Sequence, residues 1–351
     1  MSRRLDRLFG MASELPKTNN IHMLLLISVP VTPLFIASII FGSYSITPWD
    51  ALMAIAGRGT AESSLIVNSI RLPRALAALL GGACLGVSGA ILQALFRNPL
   101  ADPYILGVTS GSSLFLALSI LTGSVLGLWS PFSPYSLYLA AFIGALMVVI
   151  LMVALSGVVR STTTILIIGL MISYLAYSLT SILHVFVDIE KLRALVYWMM
   201  GSFAGARWSL LSPGIPVLAI FLFTVVLLCK PLNVLLLGEE YARSMGMSLG
   251  RMRMFLVAAA ALPVSVVTTV SGSVGFVGLS APYLARQLTR TSNHFAIIPA
   301  SALLGATLSM TADLISRLAL QPIEIPVTAV TALFGAPLVI YLLLKGRGVQ
   351  L

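Results

Sequence analysis

Asp313 and Arg317 stand four residues apart inside a long apolar run, and Arg71 and Arg74 stand three apart where another such run begins, separated by Leu72 and Pro73. Ionisable side chains within apolar spans are costly, so they mark either function or a tight internal pair. On a helix Asp313 and Arg317 share a face and can bond each other, which leaves a structural ion pair and a functional site both open. Arg71 and Arg74 read differently. On the first turn of a helix they point the same way and are expected to present a concentrated positive patch outward, against the helix dipole. An acidic partner arriving from outside would account for that patch, and anionic lipid head groups are the competing account. A third polar concentration runs from Gly238 to Arg253, with Glu239, Glu240, Arg243 and Arg251, and Gly246 and Gly250 are expected to break it into short helical pieces. A structured polar loop suits a soluble partner, while an ordinary solvated loop is the plainer reading.

Other chemistries lack their residues. His22, His184 and His294 lie near the ends of three different apolar runs, so a fixed metal site is not expected. The chain shows no glycine-rich phosphate loop with a following lysine, no nucleophile elbow and no His-Glu-x-x-His pattern, hence no ATPase or hydrolase signature of its own. Proton- and sodium-coupled carriers bury several ionisable groups near the midplane, and here Asp313 is nearly alone. Energy for uphill transport is therefore expected from elsewhere. An ion-coupled secondary transporter is the alternative, and a membrane-embedded enzyme or scaffold a third reading.

The elements that hold these residues follow from composition. Of 351 residues, 58% are hydrophobic and 9% charged, too few charges to cover a water-facing surface, so the exterior faces hydrocarbon. The net charge of +10 is scattered between apolar runs and forms no basic stripe, which argues against nucleic acid. Cys84 and Cys229 fall inside such runs and read as packing residues. Runs of spanning length lie near Ile21 to Gly42, Leu72 to Phe96, Tyr104 to Leu121, Leu137 to Val159, Thr164 to His184, Leu211 to Cys229, Met252 to Val270, Phe276 to Leu288 (a short one), Ile297 to Leu318, and Pro326 to Leu344. The fold class expected is an all-α integral membrane protein with ten transmembrane helices in a single transmembrane domain over 1–351, with a tail at 1–20, an external loop at 185–209 carrying a short interfacial helix, and an internal loop at 230–253. Small residues crowd the second run at Gly81, Gly82, Ala83, Gly86, Ser88, Gly89 and Ala90, which suits close helix packing.

Ten crossings put both termini on one side. Arg3, Arg4, Arg7, Lys17, Arg97, Arg160, Lys230, Arg243, Arg251, Arg253, Arg286, Arg290, Lys345 and Arg347 then fall on the terminal side, against Arg58, Arg71, Arg74, Lys191, Arg193, Arg207 and Arg317 on the other. The positive-inside rule assigns the termini to the cytoplasm and the first run to a retained helix.

The run Arg71-Leu-Pro-Arg74, Gly86-Val-Ser-Gly89 leading to Gln93, Arg97-Asn-Pro-Leu-Ala-Asp-Pro103 and Gly107-Val-Thr-Ser-Gly111 resembles the FecCD family, the membrane permeases of type II ABC importers for vitamin B12, haem and ferric siderophores. The resemblance continues through Gly238-Glu239, Ala242 and Gly246, Gly275-Phe-Val-Gly-Leu279 with Pro282 and Arg286, Asp313 with Arg317, and Glu324-Ile-Pro326 with Thr331 and Gly335-Ala-Pro337. It departs in the N-terminal tail and at Tyr283, where a histidine is frequent, which removes one argument for haem. The resemblance implies a homodimer of permeases in the inner membrane, two cytoplasmic ATP-binding subunits that carry the ATP and magnesium, no cofactor in this chain, and an external substrate-binding protein. It further implies that Gly238, Glu239, Glu240, Ala242, Arg243, Gly246 and Arg251 contact the ATPase as coupling helices. By the same resemblance Arg71, Arg74 and Arg317 pair with glutamates of the binding protein, and Asn98, Leu100, Ser161 and Thr162 form a cytoplasmic gate. Cargo identity stays open, with a ferric siderophore ahead of haem and cobalamin.

Overall fold

The computed structural model describes residues 18–126, 134–159 and 161–344. Among them every regular element is helical, as hydrocarbon requires, because a helix satisfies its backbone N–H and C=O groups within one segment. In chain order these are α1 (Thr18–Ser28), α2 (Val31–Ile40), α3 (Pro48–Ile55), α4 (Ala61–Ser64), a π-helical stretch Leu65–Arg71 that runs into α5 (Leu72–Phe96), α6 (Val108–Leu126), α7 (Pro134–Val158) and α8 (Thr162–His184). After them come α9 (Ile189–Met199), α10 (Trp208–Thr224), α11 (Cys229–Leu236), α12 (Glu239–Ser244), α13 (Leu249–Ser271), α14 (Val277–Thr289), α15 (His294–Leu318) and α16 (Val327–Leu344). Among the described residues seven stretches are long and apolar enough to cross a membrane: Asn20–Ile40, Ala61–Phe96, Ser136–Val158, Thr162–His184, Trp208–Leu236, Leu249–Ser271 and His294–Leu318. Val108–Thr122 and Val327–Pro337 are shorter apolar helices. The protein is thus an all-α, multi-pass membrane protein, and a helix or helix pair coincides with each apolar run read from the sequence.

The bundle is organised on α5, which is buried along most of its 25 residues. Its glycines explain how. A Cβ added at Gly82 would meet the Gly305 carbonyl oxygen at 2.3 Å, one at Gly86 the Ser301 oxygen at 2.2 Å, and one at Gly89 the Gly278 oxygen at 1.8 Å. Spaced four and three residues apart, these glycines form one stripe that brings the backbones of α15 and α14 into direct contact with α5. Gly111 on α6 and Gly144 on α7 do the same for each other. A helix of this length spans about 37 Å, so the two ends of α5 hold polar groups at opposite ends of the bundle.

Three expectations are corrected here. Arg71 and Arg74 are not on a first turn, because the helix continues back through the π-helical stretch to Ala61, and the dipole argument for them falls away. Gly250 does not interrupt the polar loop: it is the second residue of α13, and the breaks are at Gly238 (φ +122°) and Gly246 (φ +85°), left-handed backbone that only glycine adopts readily. The first run is two helices, α1 and α2, divided at Pro30. Arg3, Arg4, Arg7, Lys17, Arg160, Lys345 and Arg347 lie outside the described residues, as does most of the tail assigned to 1–20.

Candidate functional site

Two polar sites occupy opposite ends of α5. At the N-terminal end of the helix, Arg74 donates from Nε to Asp313 Oδ1 at 2.9 Å and from its two Nη atoms to Glu324 Oε1 and Oε2 at 2.8 and 3.0 Å. This is the bidentate fork that makes an arginine–carboxylate pair specific in direction. Asp313 is fully buried on α15 and also faces Arg317 Nε at 3.5 Å, so the pairing of Asp313 with Arg317 one helical turn on is observed. Arg317 further donates from Nη2 to the Ser38 carbonyl on α2 at 2.9 Å. Arg71 donates from Nη1 to the carbonyls of Ile39 (3.0 Å) and Ile40 (2.5 Å), and from Nη2 to that of Tyr44. The Ile39 and Ile40 oxygens sit at the C-terminal end of α2, where carbonyls have no intrahelical donor, that of Tyr44 lies in the loop beyond, and a guanidinium completes them.

The expected outward positive patch is therefore not present. Arg71, Arg74 and Arg317 are 4%, 6% and 4% exposed, each turned into the bundle. The reason is electrostatic. A desolvated guanidinium is costly alone, and the structure supplies two carboxylates and four carbonyls for the three cations. Glu324, to which the sequence reading gave no role, is the member of this cluster that reaches solvent, from the hairpin between α15 and α16.

At the other end of α5 lies a cleft of about 910 Å³ lined by Arg97, Ser161, Thr162, Leu237, Gly238, Glu239, Glu240, Tyr241 and Ser244. Arg97 caps α5 in a left-handed conformation (φ +49°) and donates from Nη2 to the Leu235 carbonyl at 2.6 Å, which ties α11 to the end of α5. Arg253 on α13 reaches back to Glu239 Oε2 at 2.6 Å and to the Val159 carbonyl at 3.0 Å, and so fixes the start of α12 and the end of α7 together. Ala242 is fully buried and anchors α12, while Glu240, Arg243, Gly246 and Arg251 are exposed. The two neighbouring glutamates thus differ: Glu239 is held internally and Glu240 faces outward.

Three residue groups named from the sequence come together at this end. Ser161 and Thr162 line the same cleft as Gly238, Glu239 and Glu240. Asn98 and Leu100 follow Arg97 in the adjoining loop, where Asn98 Oδ1 accepts from the Leu100 amide at 2.9 Å and Leu100 is 41% exposed. In the same loop the partly buried Asp102 accepts from the Tyr104 amide at 2.9 Å. Burial pushes its carboxyl up to about 6, and the amide donors hold the rise in check. The sequence carried no sign of that shift, and one of the amides that restrain it, that of Leu279 on α14, lies far along the chain. Among the described residues no group of three His, Cys, Asp or Glu side chains is placed to hold a metal ion.

Comparison with known proteins sets this geometry in a lineage. A sequence model of the FecCD transport family matches residues 25–345. The chain is 40% identical over 290 residues to the vitamin B12 import system permease protein BtuC of Klebsiella pneumoniae, covering 82% of this chain and 85% of that one. It is 38% identical over 331 residues to BtuC of a strain of Escherichia coli, covering 93% and 96%. A solved structure described as an inward-facing conformation of a metal-chelate type ABC transporter superposes with a TM-score of 0.80 at 32% identity, over 92% of this chain and 99% of that one.

Proposed function

The chain belongs to the FecCD transport family, and on that premise we propose that two copies of it, side by side, form the path by which an ATP-driven importer moves a corrinoid across the inner membrane. It is a permease subunit of an ABC importer and not an enzyme, since its relatives are transport permeases and hydrolysis falls to a separate subunit. ATP and magnesium belong to that partner. The cleft at the Glu240 end is the ATPase contact in this reading: α12 is short, anchored by Ala242 and by the Glu239–Arg253 pair, and turns Glu240 and Arg243 to solvent. Pressure on such an element is passed through Arg97 to α5 and through Arg253 to α7 and α13, the rigid-body levers that alternate access requires. Ser161, Thr162, Asn98 and Leu100 lie beside these levers and would move with them as the cytoplasmic gate.

Orientation follows the positive-inside rule, with termini and α12 in the cytoplasm and the Arg74 end outside. Among the described residues the two ends carry seven Lys and Arg each, so the excess comes from Arg3, Arg4, Arg7, Lys17, Arg160, Lys345 and Arg347. The external substrate-binding protein then docks at the Arg74 end, with Arg71, Arg74 and Arg317 beneath its contact surface.

One observation carries the cargo assignment: the vitamin B12 permeases match at 38–40% identity over most of the chain. A metal chelate, of which a ferric siderophore is one kind, is the second reading, favoured by the name of the 32% identical structure. Uptake of radiolabelled cobalamin into proteoliposomes holding the whole importer decides between them. The corrinoid reading expects saturable, ATP-dependent accumulation that excess unlabelled ferric siderophore does not reduce; competition by the siderophore, or no cobalamin uptake, would overturn it.

A further inference from the structure

Arg74 poses a problem for docking, because each of its three guanidinium nitrogens already has a carboxylate partner. Its Nε binds Asp313 and both Nη atoms bind Glu324. The two carboxylates are not equivalent. Asp313 is fully buried on a rigid transmembrane helix and shared with Arg317. The Glu324 side chain is 36% exposed and sits on a hairpin whose residues 318–324 are all exposed, including Leu320 at 61% and Ile323 at 71%. With Glu324 moved aside, the fork of Arg74 would open toward the aqueous side through the position the hairpin now fills.

We propose that Glu324 is an internal stand-in for a partner carboxylate, holding Arg74 until an acidic side chain of the external binding protein exchanges with it. The proposal rests on the docking role given to Arg74 above. The surface it defines is the 318–324 hairpin: an exposed apolar pair, Leu320 and Ile323, beside a carboxylate that closes a charged pocket. That arrangement fits a partner face with a carboxylate ringed by apolar side chains, where apolar contact supplies adhesion and the charge sets register. Exchange of one carboxylate for another keeps the desolvated guanidinium paired throughout, so docking need never expose a bare buried cation. It also makes docking reversible, since the internal competitor is covalently tethered and always at high effective concentration.

The test uses the intact importer in lipid nanodiscs and the substrate-binding protein that supports uptake through it, with association followed by surface plasmon resonance at low salt. Glu324→Gln removes the competitor's charge and should speed association roughly fivefold, because charge at an interface acts chiefly on the on-rate. Glu324→Asp keeps the charge but shortens the reach, and should move in the same direction by less. Arg74→Gln should slow association, and in that background Glu324→Gln should have no effect. Slower or unchanged association in both Glu324 variants, with Arg74→Gln still slow, would overturn the stand-in and leave the docking role intact. Unchanged association in Arg74→Gln would overturn the docking role itself and the stand-in with it.

Discussion

The two ends of α5 hold similar side chains and treat them in opposite ways. At the Arg74 end three arginines and Asp313 are folded inward while Glu324 closes the cluster at its surface, each cation bound to carboxylates or to carbonyls left free by helix ends. At the Glu240 end the described residues form one ion pair, the buried Arg253 with a partly exposed Glu239, and the rest of the charge on α12 faces outward. Charge turned inward stabilises only while its partners stay, whereas charge turned outward costs little to keep or to lose. The contrast separates what holds the bundle together from what is offered to a subunit.

Breaking the Arg74 end should cost most. Asp313→Ala leaves two buried guanidiniums short of a carboxylate, and removing one partner of a buried pair is worth about 3–5 kcal/mol, so thermal unfolding in detergent should shift to markedly lower temperature. An unchanged transition would mean that the cluster is wetter than its burial implies. The double change Glu240→Ala with Arg243→Ala should leave that transition within about 0.5 kcal/mol of the parent, as exposed substitutions do. It should nevertheless uncouple ATP hydrolysis from uptake, and full retention of uptake would remove α12 from the coupling path. Between these extremes, Glu239→Gln weakens the half-exposed pair with Arg253 and should cost up to about 1 kcal/mol, with Glu240→Gln as the silent neighbour. Equal effects at 239 and 240 would erase the distinction drawn between them.

A further effect is expected at Asp102, and it depends on pH. Its carboxyl titrates near 6 in the folded protein against an ordinary 3.8, so the folded state holds the proton more tightly than the unfolded chain. The charged form is the disfavoured one. Its penalty is absent below about pH 4, grows as the unfolded carboxyl ionises, and is complete above about pH 6. Asp102→Asn keeps an oxygen for the Tyr104 amide and removes the charge, so its stability gain should be absent below about pH 4, grow through that window and be complete above about pH 6. A gain that persists at pH 3.5 would point to a cause other than ionisation.

Most of the helices were legible in the sequence, because hydrocarbon admits few alternatives and apolar runs of spanning length announce themselves. The glycine stripe on α5 was legible for the same reason: small residues at helical spacing have one main use in a bundle. The orientation of Arg71 and Arg74 was not. Periodicity says that residues three apart share a face, but not what that face meets, and Arg74 meets Glu324 from 250 positions away. The π-helical stretch Leu65–Arg71 was equally hidden, since its apolar and polar residues follow no period that separates it from a loop. At the Glu240 end the polarity of Gly238 to Arg253 showed that the loop was special, while the cleft it shares with Ser161 and Thr162 is visible only in the fold.

The central claim is that α12 faces the cytoplasm, where ATP-hydrolysing subunits can press on it. Arg243→Cys offers a direct probe, because Cys84 and Cys229 are both buried and a new thiol at 243 would be exposed. With a membrane-impermeant maleimide, the account predicts no labelling in intact cells, labelling in inverted vesicles, and protection there once the ATPase subunits are bound. Labelling at 243 in intact cells would contradict it.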